Sequence, residues 1–333
     1  MPDRLTEVTE ITTALGMLAP NLERALFRRS DALLNVPDVT WDAIVQEARA
    51  GRYHQSFVTA FENGHAFLDA ADGLRGRAPV RVEWKGGHRP PGDDVVPADL
   101  RIDHVYLVSC KYLSRVLLNA GPARLFDRLL VGDERTSINW YFETAMVESQ
   151  ALYDASKAGL RLLHLPRGVG QLSRADQLTL KTALAQRTWP PDVQGEWAAL
   201  SRTVARASAN RWAAAMRKPR DRLRMLWRLL RITSASYFVL GTDRTSHLRL
   251  RVDSAWDWNQ AYRLRALEVE PRSAGQPEVG WRATVEKRVD RATLEVDGHV
   301  EVRWSHGRFL GAPEAKVYLD TPHLAVPGFN VLS

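Results

Sequence analysis

An aspartate, a serine and a lysine in the stretch VVPADLRIDHVYLVSCKY, residues 95–112, are the side chains here best suited to chemistry. Asp99 follows Pro97-Ala98 at the start of one short apolar run, and Ser109 and Lys111 close the next. If ADLRI and VYLVSCKY are strands joined by a tight turn at Asp103-His104, an antiparallel hairpin returns Ser109 and Lys111 to Asp99. The side-chain period of two then sets Ser109 and Lys111 on one face and turns Cys110 to the other. A carboxylate, a hydroxyl and an ammonium group would share one small space. An oxygen-rich corner of this kind suits Mg²⁺, which takes hard ligands and keeps several waters, and a neighbouring lysine can offset added negative charge on a phosphate. The plainer reading is that Asp99 caps a turn and Lys111 marks the end of a strand.

The elements that must position these residues are readable in outline. Residues 1–75 are helical in pattern, with 41–50 and 56–74 as the segments and DGLRGR as the stop. Residues 78–112 turn to strand character, PVRVEWKGG and the hairpin being parted by the turn-rich GGHRPPGDDVVP. Helices are expected from about 113 to 130 and to predominate as far as 232. From Ser236 onward come short strands such as SYFVLG, SHLRLRV and ATLEVDGHVEVRW, separated by Gly, Pro, Asp and Ser. That spacing predicts a β-sandwich or barrel.

The order helix, strand, Pro-x-Asp strand, apolar strand ending in x-x-Lys, then helix resembles the core of the PD-(D/E)xK, or restriction-endonuclease-like, nuclease superfamily. The resemblance covers about residues 55–130. It implies a mixed sheet flanked by helices, a Mg²⁺ or Mn²⁺ cofactor, and cleavage of a DNA phosphodiester, with RNA also open. Carried over, Asp99 is the metal ligand and Lys111 the lysine that activates water and supports phosphorane charge. Ser109 stands where the family usually has Asp or Glu, a Ser-x-Lys variant. A second carboxylate is expected from Glu62, in FVTAFENGHAFLDA, or from Glu83, in VEWKGG. By analogy with the family, the role would lie in restriction or antiviral defence, with a protein partner or a homodimer conceivable. The alternative is a catalytically inert nucleic-acid-binding or scaffold subunit on the same fold.

Charge adds a second theme. The net charge is +7, yet residues 201–231 alone hold ten Arg or Lys against the single acid Asp221. Arg217, Arg220, Arg224, Arg228 and Arg231 recur at helical spacing opposite Leu223, Leu226, Trp227 and Leu230, an amphipathic helix that Pro219 starts or kinks. Such a stripe is either a solvated face with acidic partners or a surface that contacts phosphates. Near the C-terminus Arg303, Trp304, Ser305, His306, Arg308 and Phe309 could stack bases and contact phosphate, or be core aromatics with outward arginines. A rival acid-x-lysine, Glu314-Ala315-Lys316 with Asp297 upstream, sits in the same all-β region.

Composition excludes several classes. One cysteine, Cys110, permits no intramolecular disulfide. The nine histidines form no HxH or HxxxH pair, so a structural zinc site is not expected. No P-loop, no GxSxG elbow and no membrane span is found, and a cytoplasmic location is expected. The expected organisation is an α/β (α+β) nuclease-like domain over 1–150, a helical region with the basic helix over 151–232, and an all-β C-terminal domain over 233–333.

Overall fold

The computed structural model describes residues 4–86, 96–112, 116–132, 138–186, 188–243, 246–273 and 275–333. The chain begins with α1 (Arg4–Leu18), α2 (Leu22–Phe27), β1 (Leu33–Leu34), α3 (Asp38–Arg49), α4 (His54–Asp69), β2 (Val82–Trp84), β3 (Leu100–Ile102) and β4 (Tyr106–Tyr112). Then come β5 (Val116–Ala120), α5 (Pro122–Phe126), α6 (Trp140–Gly159), α7 (Arg174–Ala183), α8 (Gln194–Ala215) and α9 (Pro219–Leu229). It ends with β6 (Tyr237–Asp243), β7 (Ser246–Val252), α10 (Ala255–Ala261), β8 (Tyr262–Arg272), β9 (Glu278–Lys287), β10 (Thr293–Arg303), β11 (Glu314–Leu319) and β12 (Phe329–Val331). Two units share this chain: residues 1–115, 231–261 and 323–333 form one, and residues 116–230 and 262–322 the other.

The first unit is built on a seven-stranded mixed sheet, ordered β1-β2-β3-β4-β6-β7-β12. β2, β3 and β4 form an antiparallel meander, and β6 then adds parallel to β4. Asp103 and His104 both take positive φ, 48° and 60°, in the tight β3–β4 connection. Asp103 fixes that turn by accepting the Val80 and Arg81 backbone N–H groups at 2.8 and 2.9 Å. One sheet face carries Leu100, Ile102, Val108, Phe238 and Leu240 into a core with Phe57 and Phe67 of α4 and Ile11 and Leu15 of α1. Each such side chain contributes roughly 1.5–3 kcal/mol when fully buried.

α1 has no solvent face, for residues 7–17 are all buried. Its close crossing with α4 needs two glycines. A Cβ on Gly16 would lie 2.1 Å from the Phe61 carbonyl oxygen, and one on Gly64 would lie 2.0 Å from that of Thr13.

The second unit is a five-stranded antiparallel sheet, ordered β5-β11-β10-β9-β8, with α8 packed on β8 and β9 and α6 on α8. Trp140, Trp212 and Phe126 fill the helical core, where Trp140 Nε1 donates to Ser208 Oγ at 2.9 Å. α9 starts at Pro219, whose missing N–H and fixed φ suit the first helical position.

The structure corrects the expected organisation in two respects. The C-terminal hundred residues are not a sandwich or barrel of their own, and the boundary at 150 does not divide the fold, whereas the chain does pass from the second unit to the first at 230–231, beside the expected boundary at 232–233. β6, β7 and β12 complete the sheet of the first unit, while β8–β11 join β5 in the second. Local alternation says that a segment is a strand but not which sheet it enters. Within 113–130, where helices are expected from the sequence, the described residues are not helical throughout: 116–120 are a strand paired with β11, and Pro122 opens a five-residue helix. A proline there would cost an interior helix a hydrogen bond and clash with the preceding turn. Among the described residues no helix is long and apolar enough to cross a membrane.

Candidate functional site

The hairpin brings the predicted trio to one face. Leu100 pairs with Val108 and both point into the core, so Asp99 and Ser109 point the other way. Asp99 extends the ladder: its N–H donates to the Val108 carbonyl at 2.8 Å, and its own carbonyl accepts from Lys85 N at 2.8 Å. Its carboxylate Oδ2 accepts from Cys110 N at 2.6 Å and from Ser109 Oγ at 3.3 Å. Asp99 and Ser109 are each 1% exposed. Lys111, two residues on, shares their face, and Cys110 between them packs against the α1–α4 core.

Neighbouring strands extend this polar face. Glu83 lies directly across from Arg101, which is two residues beyond Asp99 on the same side. Arg101 holds Glu83 through both arms of its guanidinium, one at 2.9 Å, and this bond keeps the Glu83 carboxyl below the ordinary glutamate range. Lys85, the next residue on that side of β2, lies opposite Asp99. On β6, Tyr237 shares the face: burial raises its phenol pKa, Arg231 lowers it, and the Asp99 charge raises it further. The Cys110 thiol is raised well above its ordinary value by burial, then by Asp99 and Glu10.

Glu62 does not join the trio. It sits on α4, which covers the opposite sheet face, and pairs with His247 at 3.7 Å. Glu83 is on the correct face, but its carboxylate is committed to Arg101. Among the described residues no three His, Cys, Asp or Glu side chains converge as a metal cluster. The oxygen donors at this corner, one carboxylate and one hydroxyl, do not form a closed all-protein cage.

The rival acid-x-lysine falls apart in the structure. Glu314 pairs with Arg303 across the β10–β11 ladder, whereas Asp297 meets Asp320 at the other end. Six residues of strand separate them, about 20 Å at 3.3–3.4 Å per residue.

The basic stripe divides in two. Arg217, Arg220 and Arg224 are exposed and, among the described residues, carry no ion pair; exposed Lys218 lies beside them. Arg228 is instead turned inward and donates to the Leu129 carbonyl at 2.6 Å, anchoring α9. In the C-terminal group Arg308 lies 4.0 Å over the Trp189 ring and donates to the Leu184 and Thr188 carbonyls at 3.2 and 3.1 Å. Burial lowers its pKa. Arg303 pairs with Glu301 at 3.2 Å, and His306 is exposed near Glu314.

Sequence reasoning missed Lys85, although Glu83-Trp84-Lys85 repeats the acid-x-lysine spacing one strand earlier. It also missed Glu10 of α1, which accepts from Trp84 Nε1 at 2.7 Å on the core side of the sheet. No protein-family description, curated protein or solved structure matches this chain.

Proposed function

We propose that this chain binds nucleic acid and hydrolyses its phosphodiester bonds at the Asp99–Ser109–Lys111 face, with DNA as the first substrate to test. The observation that carries the reading is the hydrogen-bonded return of Ser109 and Cys110 to Asp99, which sets Lys111 on the same face. Support also comes from element order: α4, β2, the Pro-Ala-Asp strand β3 and the Ser-Cys-Lys strand β4 follow as the nuclease resemblance requires. After β4, however, the chain forms β5 where that resemblance expects a helix.

Each residue has a distinct task. The Cys110 N–H and Ser109 hydroxyl orient the Asp99 carboxylate. The Lys111 ammonium offsets the negative charge that develops on a phosphate under attack. Asp99 would hold a Mg²⁺ or Mn²⁺ ion, which when bound polarises phosphate oxygens and lowers the pKa of attached water. Arg217, Lys218, Arg220 and Arg224 supply phosphate contacts through the second unit, where paired guanidinium donors match phosphate oxygens.

A second reading, an inert nucleic-acid-binding subunit, is favoured by one observation: Asp99 is 1% exposed and its Oδ2 already serves two donors. Plasmid, linear DNA and RNA incubated with Mg²⁺ or Mn²⁺ separate the two. Nicking that disappears in both Asp99→Asn and Lys111→Met supports hydrolysis at this face. Cleavage that survives both substitutions places the chemistry elsewhere, and salt-sensitive binding without cleavage supports the inert reading.

A further inference from the structure

The second unit holds a cavity of about 540 Å³ walled by Trp189, Trp197 and Trp304, with Arg202, Arg303 and Arg308 among its lining residues and no Asp or Glu. The indoles are arranged as a shelf: Trp189 and Trp197 have centroids 5.0 Å apart, and Trp197 and Trp304 lie 6.2 Å apart at 25° between planes. Trp197 is fixed by donating Nε1 to the Gly275 carbonyl at 2.6 Å, and the Arg308 guanidinium backs Trp189 at 4.0 Å.

Two polar atoms in this wall are unspent. Ser201 is 2% exposed, yet its hydroxyl has no hydrogen-bond partner, and neither does the buried Trp304 Nε1. Buried polar groups in folded proteins are nearly always paired, so an acceptor brought to this wall by water or by a ligand would complete them. Arg202 is exposed and, among the described residues, unpaired with any carboxylate. The lining thus asks for a flat ring to stack, an acceptor for indole and hydroxyl donors, and an anion for arginine.

We propose that this cavity binds a single nucleotide unit, its base on the tryptophan shelf and its phosphate on Arg202. Free nucleoside monophosphate and an unpaired nucleotide within a strand share that chemistry. The cavity size lies within the range usual for small-ligand sites, about 300–1,000 Å³. This site stands on the second unit alone and does not depend on the phosphodiester chemistry proposed for the first.

The test uses full-length protein carrying Arg217→Gln, Arg220→Gln and Arg224→Gln, so that the basic stripe does not contribute. AMP, adenosine, inorganic phosphate and a ten-nucleotide oligo(dA) are titrated by calorimetry with tryptophan fluorescence in parallel. The expected result is saturable binding of AMP or the oligonucleotide, with quenching, tighter than adenosine or phosphate. Binding of AMP alone identifies a free nucleotide as the source, and of the oligonucleotide alone a strand. Arg202→Gln and Trp197→Leu should each weaken it about tenfold, the order expected for loss of a stacked or phosphate contact. Arg202 is exposed, so its variant answers even where Trp197→Leu fails to fold. No saturable binding of either nucleotide probe, equal affinity for phosphate and AMP, or affinity unchanged in Arg202→Gln overturns the proposal.

Discussion

Replacing Asp99 by alanine is the obvious test of the proposed site, and the structure predicts that it will mislead unless paired with asparagine. Asp99 Oδ2 accepts the Cys110 N–H at 2.6 Å in a position 1% exposed, so the alanine variant removes a charge-assisted bond and leaves a backbone donor unpaired. A hydrogen bond to a charged group contributes about 1.5–3 kcal/mol, and an orphaned buried donor costs about 1–3 kcal/mol more. We therefore expect Asp99→Ala to destabilise the first unit by about 3–5 kcal/mol. For a domain of 150–250 residues each kcal/mol moves Tm by about 2–4 °C, so the transition should fall by roughly 6–20 °C. Asparagine offers an amide oxygen to the same N–H and should cost only about 1 kcal/mol while removing the charge. Thermal melts followed by circular dichroism, beside cleavage assays, read both quantities. An alanine variant as stable as the parent would refute the structural role given to this carboxylate. An asparagine variant that cleaves at the parental rate would refute its chemical role.

Four further outcomes follow from the same geometry. Gly64→Ala should lower the urea midpoint by an amount equal to about 1–3 kcal/mol, since its Cβ would lie 2.0 Å from the Thr13 carbonyl oxygen; an unchanged midpoint would mean that α1 and α4 have room to part. Gly241→Ala should destabilise the sheet and reduce any cleavage, because a Cβ there would lie 1.8 Å from the Lys111 carbonyl oxygen, and parental activity would count against the placement of Lys111. With its thiol pKa raised by burial and by the Asp99 and Glu10 charges, Cys110 should react far more slowly with a disulfide reagent at pH 8 in the native state than in urea; equal rates would contradict that enclosure. Substituting Arg217, Arg220 and Arg224 together by Gln should reduce the log–log salt slope of duplex binding by about 2.7, at about 0.9 per phosphate contact, whereas Arg228→Gln should act mainly on stability.

The hairpin was legible because its cues are local. Alternation placed Ser109 opposite Cys110, and Asp103-His104 gave the turn both of its positive-φ residues. Pro219 likewise marked the start of α9. What failed was non-local. α1 reads as polar, with Glu7, Glu10 and four threonines, yet residues 7–17 are all buried; Thr9 and Thr13 turn their hydroxyls back to the Leu5 and Thr9 carbonyls at 2.9 and 2.8 Å. Val116–Ala120 pairs with a strand almost two hundred residues later, and nothing nearby in sequence announces that partner. The tryptophan shelf has the same character, since Trp189, Trp197 and Trp304 come from separate elements.

That non-locality bears on the site itself. Lys111 is held not only by its hairpin but by β6, where Gly241 pairs with it in parallel register from 130 residues downstream. Asn63 of α4 donates to the Gly241 carbonyl at 2.8 Å and accepts from Arg249 of β7 at 2.8 Å, so one fully buried amide ties helix, parallel strand and edge pair together behind the lysine. The Asp99 hydrogen bonds position the front of the trio, and this amide positions its back. A short motif can therefore name the proposed reacting groups, but their geometry depends on residues at 63, 241 and 249 that the motif does not contain.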